Sequence, residues 1–309
     1  MNIILFIIVL LVLSTIVWVI KTYPQVGHVL YHSAAIVEAK VYQLRKKNIQ
    51  LDDCMMCIHY TELGNKAAIL LLHGYSADKN AWTRFGKYLA SDYQLIIPDL
   101  AGHGDSPFDP NLSYSIEAQA LRLIQLLDQL EVQQFHVVGN SMGGFIAAYL
   151  AIEYPTRILS AALIDPAGTR SAQPSEMDNM LRQGRNPFHI NNKKEFAEFY
   201  AMTMAKPPYV PRVVIDALAE DYIAKRQQLQ QIFGDYSSSP LLAERLPQLY
   251  QSTLLIWGEQ DEIIHVSGSE NWKTIPNLEM EIWSDLGHMP MLEDPNRTAE
   301  CYLRFLEKG

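Results

Sequence analysis

A short apolar run from Phe135 to Val138 leads into Gly139-Asn140-Ser141-Met142-Gly143-Gly144, and Phe145 to Ile152 then continues with helical spacing. Few folds accept that order of events. A strand that turns at once into a helix holds its apex residue, Ser141, in a strained backbone conformation, and the residues two positions either side must be nearly free of side chain. The turn lifts the serine hydroxyl above the edge of a sheet. It also sets the Met142 N–H at a helix N-terminus, where negative charge is stabilised. Glycine-softened turns occur in many parallel sheets, so a catalytic reading requires a base and an orienting acid further along the chain.

Size and charge bound the rest. The 309 residues suffice for one large α/β domain with an insertion, or for two small domains. A formal charge of −9 excludes nucleic acid as the expected partner. Cys54, Cys57 and Cys301 form an odd, sparse set that makes no disulfide framework, and Cys54-x-x-Cys57 reads as a strand-edge pair.

At the N-terminus, Ile3 to Ile20 carries no charge and would reach ~27 Å as a helix. No basic residue precedes the run and no small-residue cleavage site follows it, which points to a retained single-pass transmembrane helix over residues 1–22. Lys21, Lys40, Arg45, Lys46 and Lys47 all follow the run, so the body of the protein is expected on the cytoplasmic face. Residues 23–50 read as an amphipathic linker helix with Val26, Val29, Leu30, Val37, Val41 and Leu44 as its apolar stripe, lying on the membrane surface or packed on the body.

From residue 51 to 168, buried strands at Ala67–Leu72, Tyr93–Pro98, Phe135–Val138 and Ala161–Ile164 alternate with helical stretches expected at Ala81–Ala90 and after Ser115. That rhythm predicts an α/β fold with a mostly parallel sheet covered by helices on both faces. It breaks over residues 169–246, where helices are expected near Lys193–Ala205 and Val210–Gln231, and resumes over 247–309. A helical cap insertion after one strand would cover the end of the sheet where such folds bind ligands.

Serine chemistry needs a base to take the hydroxyl proton and an acid to fix the base's tautomer. Asp261 follows the strand Thr253–Gly258, and Gly287-His288 follows the next one, so both would sit level with Ser141. Glu262, Asp285 and Asp165 are rivals to Asp261, and Asp165 reads as a strand-end cap. The backbone N–H groups of Tyr75 and Met142 are the expected oxyanion pocket. His73, His103 and Asp99 are assigned structural roles. His28, His32, His59, His189 and His265 show no ligand spacing, so neither metal nor cofactor is expected.

Taken together, His73-Gly74, Pro98 to Ser106, Gly139 to Gly143, Gly258 to Asp261 and Gly287-His288 resemble the α/β-hydrolase fold from about residue 51 to the end. More narrowly, Asn140 to Gly144, Asp165 to Gly168, Lys206 to Pro211 and Ile256-Trp257-Gly258 resemble cold-adapted bacterial lipases and membrane-anchored monoacylglycerol lipases. That resemblance implies hydrolysis of acyl esters of lipids at a membrane. Serine at 141 separates the chain from dehalogenases and epoxide hydrolases, which place aspartate there. Phe188, Met204 and Tyr209 of the insertion, with Met177, Met180, Phe196, Phe199 and Met202, supply flexible and aromatic groups suited to an acyl tunnel. A carbon–carbon bond hydrolase and a non-catalytic membrane-tethered binding protein are the alternatives.

Overall fold

The computed structural model describes residues 3–22, 24–62 and 66–308, apart from the side chains of residues 20–22 and 24. Eight strands form one sheet: β1 (Arg45–Gln50), β2 (Met55–Tyr60), β3 (Ala68–Leu72), β4 (Gln94–Pro98), β5 (Phe135–Asn140), β6 (Ile158–Ile164), β7 (Ser252–Gly258) and β8 (Leu278–Trp283). Their order is β1-β2-β4-β3-β5-β6-β7-β8, with the first two antiparallel to their neighbours and the others parallel.

The central strands alternate between two cores, as side chains two residues apart must. Leu70, Leu72, Val137, Leu163 and Leu255 face one core. Ile69, Leu71, Val138, Ile164 and Ile256 face the other. The helices are α1 (Ile3–Thr22), α2 (Pro24–Val41), α3 (Thr83–Gly86), α4 (Ile116–Gln129), α5 (Met142–Glu153), α6 (Glu176–Arg182), α7 (Lys193–Met202), α8 (Arg212–Ala224), α9 (Arg226–Ser237), α10 (Ser269–Trp272), α11 (Pro290–Glu293) and α12 (Pro295–Leu306). Leu123 and Leu127 of α4 and Ile146 of α5 pack on the first face. Phe85 of α3 and Tyr302 and Phe305 of α12 pack on the second. The insertion between β6 and β7 holds α6 to α9 and no strand among the described residues.

Five expectations change. The linker helix ends at Val41, and residues 45–50 form an edge strand within the sheet. Only Ile49 of that strand is buried, so its sequence lacks the apolar alternation that marks a half-buried strand. The helix expected over Ala81–Ala90 shrinks to a 3₁₀ turn, Lys79–Trp82, and one short turn of α3, which closes on Gly86, a poor helix former, and gives way to turns over residues 87–90. The long helix expected to Gln231 is two, broken at Lys225.

The fourth correction concerns the N-terminus. Among the described residues, no helix is long and apolar enough to cross a membrane. The helix α1 runs from Ile3 to Thr22 and carries Ser14, Thr15 and Lys21 within it. The expected transmembrane span is therefore not found, and the expected cytoplasmic placement rested on it. Large apolar side chains of α1 from Ile3 to Trp18 are nonetheless exposed all round the helix.

Of the two placements open to α2, the structure gives packing on the body. A Cβ at Gly27 would meet the Val213 carbonyl oxygen of α8 at 2.1 Å, so this glycine lets the two helices cross closely. Arg84 grips Glu38 through Nη2 at 2.7 Å and Nε at 3.0 Å. Most of the expected stripe does not pack, however: Val29, Leu30, Val37 and Val41 are exposed, Val26 is half-buried, and only Leu44, beyond the helix end, is buried.

Candidate active site

Ser141 lies between β5 and α5 at φ +56°, ψ −119°, a conformation costly for any residue with a Cβ. The surrounding backbone holds it there. Its N–H donates to Ile164 O at 3.0 Å, and its carbonyl accepts from the N–H groups of Phe145 and Ala167, each at 3.0 Å. The two flanking glycines are required by close approach: a Cβ at Gly139 would stand 2.1 Å from Gly143 O, and one at Gly143 would stand 2.2 Å from Leu72 O.

Asp261, in the loop after β7, is buried. Its Oδ1 accepts from the N–H groups of Ile263 and Ile264 at 2.8 and 2.9 Å, which fixes the carboxylate plane. Its Oδ2 lies 2.7 Å from His288 Nδ1. The imidazole loop is held from two sides. Asn140 Nδ2 donates to His288 O at 2.9 Å, and the Glu293 carboxylate accepts from the N–H groups of Gly287 and Met289. Ser141 and His288 line the same cavity. No hydrogen bond joins the Ser141 hydroxyl to His288 among the described residues, and such contacts commonly tighten only when substrate binds.

Asp285, one rival acid, sits at the surface paired with Lys206 and Arg297. Glu262, another, is the next residue after Asp261 but is exposed, so it is not the carboxylate that meets His288. Asp165 is fully buried and accepts the Gly258 N–H at 2.8 Å, the capping contact expected of it.

Gly74 abuts the serine, since a Cβ there would approach Ser141 Cβ to 3.1 Å. The next residue, Tyr75, is anchored in the insertion: its hydroxyl donates to Leu229 O at 2.7 Å, and its ring meets those of Phe188, Phe233 and Tyr236. The other candidate donor, the Met142 N–H, begins α5. His73 is structural as expected. Burial holds it below the ordinary imidazole range, and its Nε2 accepts the Leu100 N–H at 3.0 Å.

The loop that follows Tyr75 is fastened by charge. Lys79 is 3% exposed, and its Nζ donates to Asp99 Oδ2 and Asp105 Oδ2, each at 2.7 Å. Burial pushes the Asp105 carboxyl up, but its hydrogen bonds to Lys46 and Lys79 more than offset that and hold it below the ordinary range. A depressed carboxyl contributes stability above its unfolded pKa and loses it on acidification. Lys79→Met should strand the fully buried Asp99 and cost about 3–5 kcal/mol, read as a drop in the midpoint of urea unfolding.

The cavity holding Ser141 and His288 has a volume of about 700 Å³. Phe188, Met204 and Tyr209 all line it, as do Met177, Phe196 and Phe199, whereas Met180 and Met202 lie outside the lining. Tyr31, His32 and Glu38 of α2 form part of its wall. A smaller hollow of about 410 Å³, by Lys40, Arg45 and Lys66, shares no lining residue with it.

Sequence reasoning missed Asn140 and Glu293 as supports of the His288 loop, and it missed the α2 wall. The position of Asn140, directly before the apex serine, was the one available signal for it.

With this geometry in hand, the class is plain: the model of the alpha/beta hydrolase fold matches residues 67–295, and the chain belongs to that family. Particular relatives narrow the comparison. Lipase 1 of Psychrobacter immobilis is 34% identical over 277 residues, spanning 85% of this chain and 86% of that protein. The monoacylglycerol lipase ABHD6 of Bos taurus is 27% identical over 277 residues, spanning 85% and 82%. The crystal structure of a membrane phospholipase A superposes with a TM-score of 0.88 at 31% identity, covering 98% of both chains.

Proposed function

We propose that this ester hydrolase cleaves acyl esters of lipids, monoacylglycerols foremost, through an acyl-enzyme on Ser141. The observation that carries the reading is one cavity, largely lined by apolar side chains, with the strained serine and the Asp261-paired imidazole on its wall. Ser141 Oγ attacks the ester carbonyl while His288 Nε2 takes its proton, and the Tyr75 and Met142 N–H groups receive the developing oxyanion. The tetrahedral intermediate expels the alcohol as His288 returns the proton. Water, activated by the same imidazole, then releases the fatty acid. Phe188 and Met204 would contact the acyl chain, and Tyr209, largely exposed, would stand at the mouth.

The relatives' names supply the substrate class: lipase, monoacylglycerol lipase and phospholipase A. A carbon–carbon bond hydrolase would want free cations for a carboxylated substrate. Of the cavity's three lysine and arginine side chains, Lys79 is spent on Asp99 and Asp105 and Arg84 on Glu38, which leaves Lys225 as the one cation for such a carboxylate among the described residues. A fluorophosphonate probe should label Ser141, and p-nitrophenyl esters should be turned over faster as the chain lengthens from acetyl to octanoyl. Absence of labelling would favour a binding protein, and turnover confined to a ring-fission diketone would favour the carbon–carbon reaction.

The exposed apolar α1 is read as the contact with lipid, so that the cavity works beside its substrate store. Removing residues 1–22 should release the protein from sedimenting vesicles and lower turnover of vesicle-borne monoacylglycerol by about tenfold or more, while hydrolysis of a short soluble ester persists. Continued sedimentation with vesicles would sink that part of the reading.

A further inference from the structure

Asp165 ends β6 at φ +43° and is fully buried. Its Oδ1 is satisfied by the Gly258 N–H, but its Oδ2 has no hydrogen-bond partner among the described residues. A carboxylate oxygen of Asp165, one of Asp261 and a ring nitrogen of His288 lie within 4.8 Å of one another. Two buried carboxylates at such a separation do not both ionise. Which one keeps the proton is decided by the donors around each. Asp261 faces the N–H groups of Ile263 and Ile264 and the His288 imidazole, whereas Asp165 has the Gly258 N–H alone. The proton therefore belongs on Asp165, and its orphaned oxygen becomes an O–H able to donate to Asp261.

We propose that Asp165 is a neutral, proton-bearing positioning residue that hydrogen-bonds the Asp261 carboxylate and so steadies the acid that orients His288. The proposal rests on the Ser141–His288–Asp261 reading above. Burial, then the negative charge of Asp261, push the Asp165 carboxyl well above the ordinary carboxylate range, and Glu293 adds to that. These, with His288, are the ionisable groups facing it. Its role differs from that of a plain cap: a cap needs only Oδ1, whereas this role needs the second oxygen and its proton.

The test compares kcat against pH for the full chain with Asp165→Asn and Asp165→Ala, using a soluble p-nitrophenyl ester. Asparagine keeps the acceptor for Gly258 and offers an N–H to Asp261, so kcat near pH 7 should stay within about threefold of the parent. The parent should lose activity at alkaline pH as Asp165 gives up its proton, and Asp165→Asn should not. A raised carboxyl withdraws stability as pH climbs from its unfolded pKa to its folded one, so Asp165→Asn should also melt higher than the parent at neutral pH. Asp165→Ala should lose about tenfold or more in kcat with little change in KM.

Superimposed alkaline limbs for the parent and Asp165→Asn would overturn the proposal, as would an alanine variant that melts lower but turns over normally. Loss of activity in EDTA with recovery on a divalent ion would overturn it too, because a cation would then be bridging the two carboxylates. Residual hydrolysis by Ser141→Ala would instead sink the underlying triad, whatever the Asp165 variants do.

Discussion

Ser141→Ala is expected to lower kcat/KM on every acyl ester by about 10⁵-fold or more, while the melting temperature holds. The two halves of that result have separate causes. Alanine removes the attacking oxygen, so only the binding pocket and the oxyanion donors remain to act. It keeps a Cβ, however, and so keeps the backbone strain at φ +56°, ψ −119°. Ser141→Gly is the useful companion, because glycine adopts that conformation freely: it should be equally inactive and more stable, by about 1 kcal/mol. Measured melting curves and initial rates on one short and one long ester check all of this. A Ser141→Ala enzyme with appreciable turnover would show that the hydroxyl is not the nucleophile.

Asp261→Asn should cost nearly as much, about 10⁴-fold in kcat, without loss of fold. The local hydrogen bonds dictate how. Ile263 and Ile264 both point N–H groups at Oδ1, so the amide must put its oxygen there and turn its NH₂ toward His288 Nδ1. An imidazole facing that NH₂ must accept at Nδ1 and carry its proton on Nε2, the nitrogen that should receive the serine proton. Steady-state kinetics on a soluble ester, with circular dichroism to confirm folding, reads the effect. Retention of more than about a tenth of the activity would mean another carboxyl orients the base.

Much of the site was legible in the sequence because each member follows a strand. Buried apolar runs with a glycine at or near the end, Phe135–Asn140 and Ser252–Gly258, mark where the chain leaves the sheet ahead of Ser141 and Asp261, and Gly287-His288 follows the less buried β8. What could not be read depends on contacts between distant segments. Nothing local to Tyr75 says that its ring is clasped by Phe188, Phe233 and Tyr236 of the insertion. Asn140 reads as a turn residue until its amide is seen holding the His288 carbonyl. Asp165 was legible as a cap, but the neighbourhood of Asp261 was not, since 96 residues separate the two and only the pairing of β6 with β7 brings them together. At the N-terminus, periodicity identified α2 as a helix but assigned its burial to the wrong side chains, because closeness to α8 is set by Gly27 rather than by the bulky residues.

The contribution of α2 to the cavity wall has a practical corollary for anyone shortening the protein. A version begun at residue 51, where the sequence pattern places the start of the hydrolase core, would discard both β1 and the helix whose Tyr31, His32 and Glu38 enclose the chamber. The reaction vessel would then be missing a side, leaking water onto the bound ester and leaving Arg84 without its counterion. A cut just ahead of Pro24 trims the greasy leader and leaves the vessel whole.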